Sequence, residues 1–238
     1  MGEFFDIHTH IIYDIDDGAR NIEESIAMIK QDFDEGARGI IATPHYDVER
    51  PTDASEIKEK LESIKERIEG QTYSVPLYAG HEVLYFDGMI DRLDSGEILT
   101  LAGSRYVLIE FYTNETYAGI QKATSHLLRS GYIPIIAHAE RFGAIRKMGV
   151  GELVDSGVKV QLSSSAFAGG MFDPIAKFCH SVMKDGEADF VGSDMHRMDR
   201  RVPKAKKCIS WCKKNVSSEY AADVLYHNAF RDIIDSHS

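Results

Sequence analysis

Two histidines one residue apart, His8 and His10 in DIHTH, are followed in the first loop by Asp14, Asp16 and Asp17 in YDIDDGAR. Alternate residues of an extended chain point the same way, so both imidazoles can reach one ion. Further along come TPH at His45, GHE at Glu82, LIEF at Glu110, IAHAER at His138, and SDMH at Asp194 and His196. Imidazole mixed with carboxylate suits Zn, Mn or Fe ions, and carboxylates that bridge suit clusters of two or more. The ligands offered here exceed what one ion can take.

Each residue alone has a plainer explanation. A histidine near a strand end is commonly a surface or hydrogen-bonded residue, and His81, His126, His180, His227 and His237 read that way. A carboxylate ending an apolar strand, such as Glu82 or Glu110, costs desolvation unless a nearby Arg or Lys pairs with it or a metal binds it. The DxDDG run can be a solvated turn closed by Gly18, although a ligand role for at least one of its aspartates is expected. The metal reading gains because histidine and carboxylate recur after apolar strands, where polar loops of any composition would serve. Two arginines stand near these groups, Arg141 in HAERF and Arg201 in DMHRMDRRVP. A guanidinium beside a metal cluster is repelled unless an anion bridges them, and its planar fork suits phosphate oxygens. Chemistry alone does not choose among Arg197, Arg200 and Arg201.

The elements that would position these groups repeat a simple unit. Short apolar runs end near His8, Thr43, His81, Glu110, His138, Leu162 and Ser193, mostly separated by amphipathic stretches, about seven βα units in all. After the first strand, Asn21 is the expected N-cap and Glu24 its reciprocal partner. Ile22, Ile26, Ile29 and Phe33 follow at helical spacing, and Gly36 is the stop. Further helices are expected over 55–69, 117–129, 174–184 and 203–213. Continuously apolar strands in βα repeats mean a buried parallel sheet, open or closed into a barrel, and periodicity does not choose between the two. In a barrel the loops converge at the C-terminal rim, where the residues singled out above would meet.

The chain of 238 residues, 43% hydrophobic and 27% charged, is expected to form one domain over 1–238, with no repeat or linker composition. Its net charge of −11 argues against a broad nucleic-acid-binding surface, although cations gathered by carboxylates could still make a locally positive site for an anionic substrate. No apolar run approaches the roughly 20 residues of a membrane span and no signal-peptide pattern opens the chain, so a cytoplasmic protein with no membrane insertion is expected. The three cysteines form no paired framework. None of Cys179, Cys208 and Cys212 has an arginine six positions on, as a cysteine-based phosphatase loop requires, and Cys208 and Cys212 read as core.

Together DIHTH, the DDG loop, TPH, GHE, LIEF, IAHAER and SDMH resemble the PHP (polymerase and histidinol phosphatase) superfamily. Within it they resemble the manganese-dependent protein-tyrosine phosphatases of the CpsB/CapC/YwqE type, over nearly the whole chain. The resemblance implies an α/β fold, a distorted seven-stranded TIM-like (β/α) barrel, holding three metal ions, Mn2+ by preference with Fe or Zn as alternatives. It implies that His8, His10, Glu82 and Asp194 bind the first ion, that Glu82 bridges to a second held also by Glu110 and His138, and that Asp17, His45 and His196 hold the third. Arg141 and Arg201 match the phosphate-contacting arginines. Metal-activated water would then hydrolyse phosphotyrosine without a covalent enzyme intermediate. A phenolate with a pKa of about 10 leaves with little acid assistance, for which His45 and Asp199 are candidates. The implied partner is the tyrosine-rich tail of a bacterial tyrosine kinase in capsule or exopolysaccharide regulation. The same ligands could serve a histidinol phosphatase-like enzyme on small phosphomonoesters, and a PHP-like domain can also be a non-catalytic regulatory module. An amidohydrolase opens with the same H-x-H but commonly supplies a carbamylated lysine where this chain has Glu110.

Overall fold

Strand and helix alternate along the computed structural model, which describes residues 4–170 and 172–235. The strands are β1 (Phe4–Thr9), β2 (Ala37–Ala42), β3 (His45–Tyr46), β4 (Leu77–Ala79), β5 (Glu82–Leu84), β6 (Tyr106–Glu110), β7 (Ile133–Ile136), β8 (Lys159–Ser163) and β9 (Phe190–Gly192). Helices α1 (Ile22–Glu35), α2 (Ala54–Ile68), α3 (Met89–Asp94), α4 (Tyr117–Arg129), α5 (Gly143–Met148), α6 (Gly151–Asp155), α7 (Pro174–Asp185), α8 (Ala205–Asn215) and α9 (Ser218–Ala222) separate or follow them. Two π-helical turns, Asp223–His227 and Ala229–Ile234, complete the described chain.

All named strand pairs are parallel, in the orders β1-β2-β4 and β3-β5-β6-β7-β8-β9. The two short strands β3 and β5, which sequence periodicity does not reveal, continue β2 and β4. Pro44 supplies no N–H to a ladder, so β2 stops and its path resumes at His45. Across the break the bonding goes on, with Gly80 N–H donating to Ala42 O at 2.9 Å and Glu82 N–H to Pro44 O at 3.1 Å. The ring closes where Asp194 N–H donates to His8 O (2.9 Å) and His10 N–H to Met195 O (3.0 Å). Seven strand paths therefore curl into a parallel barrel, as expected.

Alternate residues fill its interior. Phe5, Ile7, Ile41, Tyr106, Leu108, Ile135, Ala137 and Phe190 form one buried cluster, closed at its floor by Ala229 and Ile233 of the last helical turn. The opposite strand faces pack against the helices in a larger cluster that includes Ile40, Val107, Ile109, Ile136, Val160 and Val191. Cys179, Cys208 and Cys212 lie in that outer core, fully buried.

The five expected helices form within a few residues of their expected bounds. Asn21 Oδ1 accepts from Glu24 N–H at 2.9 Å, and Gly36 ends α1 at φ 121°. The reciprocal half of the cap differs, because the Glu24 carboxylate accepts from the backbone N–H of Arg20 (2.9 Å) and from its guanidinium, which offers a stronger, charge-assisted bond. The buried stripe of α1 is also rotated from the expected one. Ser25, Met28, Ile29 and Asp32 are buried, whereas Phe33 is partly exposed under the Arg38 guanidinium, 4.5 Å from its ring centre. The shorter helices α3, α5, α6 and α9 are too brief to leave a readable apolar period.

Candidate metal centre

β1 and β9 are stitched together at their C-terminal ends by a buried carboxylate. Asp6 Oδ1 accepts from His8 N–H (3.1 Å) and from Ser193 N–H (2.9 Å), so one side chain fixes the backbone of both strands just before their unusual residues. Several strand ends then turn sharply through the left-handed region. Among the described residues five non-glycines have positive φ, and four are Asp14 (54°), His138 (34°), Asp194 (53°) and Arg201 (55°), all in rim loops. Such backbone costs of order 1–3 kcal/mol per residue and persists where surrounding structure holds it, commonly at functional sites.

Two hydrogen bonds decide how the first histidines present themselves. His10 Nδ1 donates to Asp16 Oδ2 at 2.7 Å, and His8 Nδ1 to Gln161 Oε1 at 3.2 Å. The Gln161 amide cannot be flipped without loss, because Oε1 also accepts from His138 N–H (2.8 Å) while Nε2 donates to Leu162 O (2.8 Å). With both Nδ1 atoms committed as donors, the Nε2 atoms carry lone pairs. They face each other at 3.3 Å. Glu82 Oε2 lies 3.1 Å from His8 Nε2, 3.3 Å from His10 Nε2 and 3.1 Å from His45 Nδ1, yet none of these contacts has hydrogen-bond geometry. Asp194 Oδ1, 3.5 Å from both Nε2 atoms, is likewise without a hydrogen-bond partner.

Buried lone pairs pointed at one another repel unless something positive lies between them, either a proton on a ring or a cation. The titration directions agree. Burial alone raises the carboxyls of Glu82 and Asp194, but the neighbouring imidazoles, with Arg141 at Asp194, hold both well below the usual range. Burial disfavours charge on His8 and His10, yet the carboxylates around them raise both above the usual 6.5. These donors fit a divalent cation, which would supply the missing positive charge.

Three ligand groups come together, each with its donor atoms within 4.8 Å of one another: His8, His10, Glu82 and Asp194; His45, Glu82 and Glu110; and His10, Asp17, His45 and His196. His138 adjoins the second group, its Nε2 2.7 Å from Glu82 Oε1 and 3.6 Å from Glu110 Oε2. In the third, His196 Nδ1 donates to Asp194 O (3.0 Å), which leaves its Nε2 lone pair 3.3 Å from Asp17 Oδ1. Burial and the nearby His10 push the His196 imidazole down to about 3, so it is neutral and ready as a ligand. Both expected arginines reach this cluster. The Arg141 guanidinium pairs with Asp194, and Arg201 Nη1 stands 3.5 Å from Asp194 Oδ2 and 3.0 Å from His196 Nε2. Arg197 instead donates to Gly18 O (3.0 Å), and Arg200 lies 3.8 Å from Asp17. Asp199 is exposed and faces Arg20 at 3.8 Å.

Sequence reasoning missed Asp16, Gln161 and Asp6 as individual positioning groups. Asp16 was one of three candidates in DxDDG, and its role shows only in space: it accepts from His10, from His45 N–H (2.9 Å) and from Gly18 N–H (2.8 Å). Gln161 carried a readable signal, a polar residue within the apolar strand VKVQL. Of the remaining histidines, His81 is fully buried, with Nδ1 accepting from Leu99 N–H and Nε2 2.9 Å from Thr52 Oγ1. His126 lies near Tyr85 Oη at 3.4 Å, His180 stacks on Trp211 and His227 lies near Asp223. His237 lies outside the described residues.

The family model of capsular polysaccharide synthesis proteins CpsB/CapC matches residues 4–234. The chain belongs to the CpsB/CapC family. It is 30% identical to the tyrosine-protein phosphatase CpsB of Streptococcus pneumoniae over 97% of this chain and 98% of that one. It is 29% identical to the tyrosine-protein phosphatase YwqE of Bacillus subtilis, covering 90% and 85%. In three dimensions it matches a chain from the crystal structures of YwqE and CpsB, described as metal-dependent tyrosine phosphatases, with TM-score 0.84, 28% identity and 94% of each chain covered. A D-hydantoinase shares the fold alone, at TM-score 0.59 and 10% identity over 96% of this chain and 70% of that one. Among the described residues no helix is long and apolar enough to cross a membrane.

Proposed function

We propose that this CpsB/CapC-family member uses three Mn2+ ions at the barrel rim to hydrolyse phosphotyrosine, with Arg141 and Arg201 as the residues that hold the phosphoryl group. The chain is a metal-dependent tyrosine-protein phosphatase. The observation that carries the reading is Glu82 Oε2, buried among three imidazole nitrogens with no hydrogen-bond donor aimed at it. In our assignment His8, His10, Glu82 and Asp194 hold one ion, Glu82, Glu110 and His138 a second, and Asp17, His45 and His196 a third. His45 stands between the last two, since its Nδ1 is also 3.3 Å from Glu110 Oε1. Divalent ions held there would acidify water toward neutrality and supply the nucleophile for in-line attack on phosphorus.

The chain's own residues do the rest. Asp16 and Gln161 keep the His10 and His8 rings with Nε2 outward, removing rotamer and tautomer freedom before anything binds. Arg141 and Arg201 converge on Asp194 Oδ2. A phosphoryl group seated at the cluster would give both guanidinium forks equatorial oxygens to hold as charge redistributes. The protein substrate we propose, the tyrosine-rich tail of a bacterial tyrosine kinase, is supported by the family resemblance, as are Mn2+ over Fe or Zn and a cytoplasmic location.

The test is a substrate panel with Mn2+ added to chelator-stripped protein: phosphotyrosine peptide, phosphoserine peptide and histidinol phosphate. Hydrolysis of phosphotyrosine that returns with metal supports the assignment. Preference for histidinol phosphate would redirect it to small phosphomonoesters, and turnover indifferent to chelator would reject the metal reading.

A further inference from the structure

A groove of about 540 Å3 leads away from the metal centre, within the size range of ligand sites. Of its lining residues Asp17, His45 and Glu110 belong to the metal centre, whereas Ile15, Leu84 and Arg50 do not. Ile15 and Leu84 are half-buried, whereas Arg50 is exposed. Arg50 sits on a tight turn after β3, its N–H donating to Asp47 O at 3.1 Å.

Its guanidinium differs from the other rim arginines. Arg141 and Arg201 pair with Asp194, Arg200 lies by Asp17 and Arg197 donates to a carbonyl. Arg50 has no side-chain partner among the described residues. The acids lining the same groove are otherwise engaged: Asp16 holds His10, Asp47 Oδ1 accepts from Glu49 N–H, and Asp17 and Glu110 face the imidazoles. A lone cation on a groove that shares Asp17, His45 and Glu110 with the metal centre is placed to read charge on a substrate bound at that centre.

We propose that this groove receives the peptide beside the phosphotyrosine and that Arg50 is a specificity residue for an acidic side chain on it. The inference rests on the phosphatase reading above. A single guanidinium matches a carboxylate, which it can grip with two parallel bonds. A second, doubly charged phosphate would meet one cation among four acidic lining residues, Asp16, Asp17, Asp47 and Glu110, and is the poorer fit. Ile15 and Leu84 supply apolar wall to the same groove. Consecutive residues of an extended peptide advance about 3.3 Å, so residues beside the phosphotyrosine leave the metal centre within a few positions.

The experiment compares phosphotyrosine peptides with Glu, Gln, Lys or a second phosphotyrosine within two residues on either side, using p-nitrophenyl phosphate as a substrate without flanks. The wild-type protein is expected to favour Glu over Gln by about fivefold in kcat/KM, the scale of one exposed ion pair, with the preference shrinking in high salt. Arg50→Ala should bring the Glu peptide down to the Gln level and leave p-nitrophenyl phosphate unchanged, and Arg50→Glu should favour Lys. Equal rates for Glu and Gln peptides, or an Arg50→Ala loss shared by every substrate, would overturn the inference. So would an Arg50-dependent preference for the doubly phosphorylated peptide over the Glu peptide. Failure to hydrolyse p-nitrophenyl phosphate with metal present would instead bring down the phosphatase reading and this one with it.

Discussion

Asp6 and His8 are two residues apart on β1 and both are sealed from solvent, yet the acidic groups around them titrate in opposite directions. At the rim, Glu82 and Asp194 are ringed by imidazoles and Arg141, and those neighbours overcome burial to keep both carboxyls ionised. Just outside the ring of strands, Asp6 meets Asp32 of α1. Burial raises both, Asp6 to about 6 and Asp32 well above the usual carboxylate range, and the Asp6 charge raises Asp32 again. Two carboxyls in a dry contact cannot both ionise, so the pair shares a proton. Burial is common to the two regions. Their neighbours decide which becomes a cation trap and which becomes a clamp: Asp6 fastens β1 to β9 and thereby sets the strand ends that carry His8 and Asp194.

The comparison breaks most decisively at Glu82. Glu82→Ala should abolish cation binding at the inner positions and cut phosphotyrosine hydrolysis by on the order of 10³-fold, read by metal analysis and turnover together. Full activity with full metal content would show that the rim carboxylates are merely structural, like the Asp6–Asp32 pair. Arg141→Ala should leave fold and metal content intact and lower turnover by about 10²-fold, the worth of one positioned donor, and unchanged kinetics would remove it from phosphate binding. Asp16→Asn sharpens the contrast between ligand and support. Losing the ionised acceptor behind His10 should weaken Mn2+ affinity by roughly 10–100-fold while excess metal restores most activity, a rescue that Glu82→Ala should not show.

Acidity supplies a further test. In the absence of metal His8 and His10 hold protons above the ordinary imidazole range, and a cation must displace them. Metal affinity should therefore rise as pH increases through and beyond about 6.5, measured by titration calorimetry in buffers of different ionisation enthalpy. A pH-independent affinity would contradict it.

The smallest effect lies in the Asp6–Asp32 pair and concerns stability. Its carboxyls keep protons in the folded chain that the unfolded chain releases near 3.8, so folding stability falls as pH climbs from about 4 through about 6, where Asp6 gives up its proton. Asp32→Asn supplies a neutral donor to Asp6 and removes most of that loss. A gain on the order of 1–2 kcal/mol at pH 8 is expected, a rise of a few degrees in Tm that vanishes near pH 4. A destabilised variant at pH 8 would mean that Asp32 is held by something other than the shared proton.

How far these regions were legible follows from their physics. The alternation of apolar strands with capped helices is a local pattern, and it placed seven strand ends and the helices from Asn21 to Gly36 and over 117–129 well. Strand β3 was hidden because two residues beyond Pro44 have no period, and the stripe of α1 was misjudged because Asp32, a polar residue, turns inward to Asp6. For the site, His8 and His10 share a strand, and residue types at strand ends marked the other candidates. The part played by Asp16 within DxDDG could not be told from that of Asp14 or Asp17, since all three occupy one turn. The burial of His81 was equally unreadable, because its partners Thr52 and Leu99 come from other parts of the chain.

Residue type and spacing by themselves determined the candidate donors and the βα rhythm, because both depend on neighbours within a few positions. Tertiary structure alone decided which nitrogen of each imidazole faces the centre, which arginines reach Asp194, and which buried acids are ionised. Those properties depend on hydrogen bonds and charges between segments as far apart as His8, Gln161 and Asp194, and distance in space, not order along the chain, sets their strength.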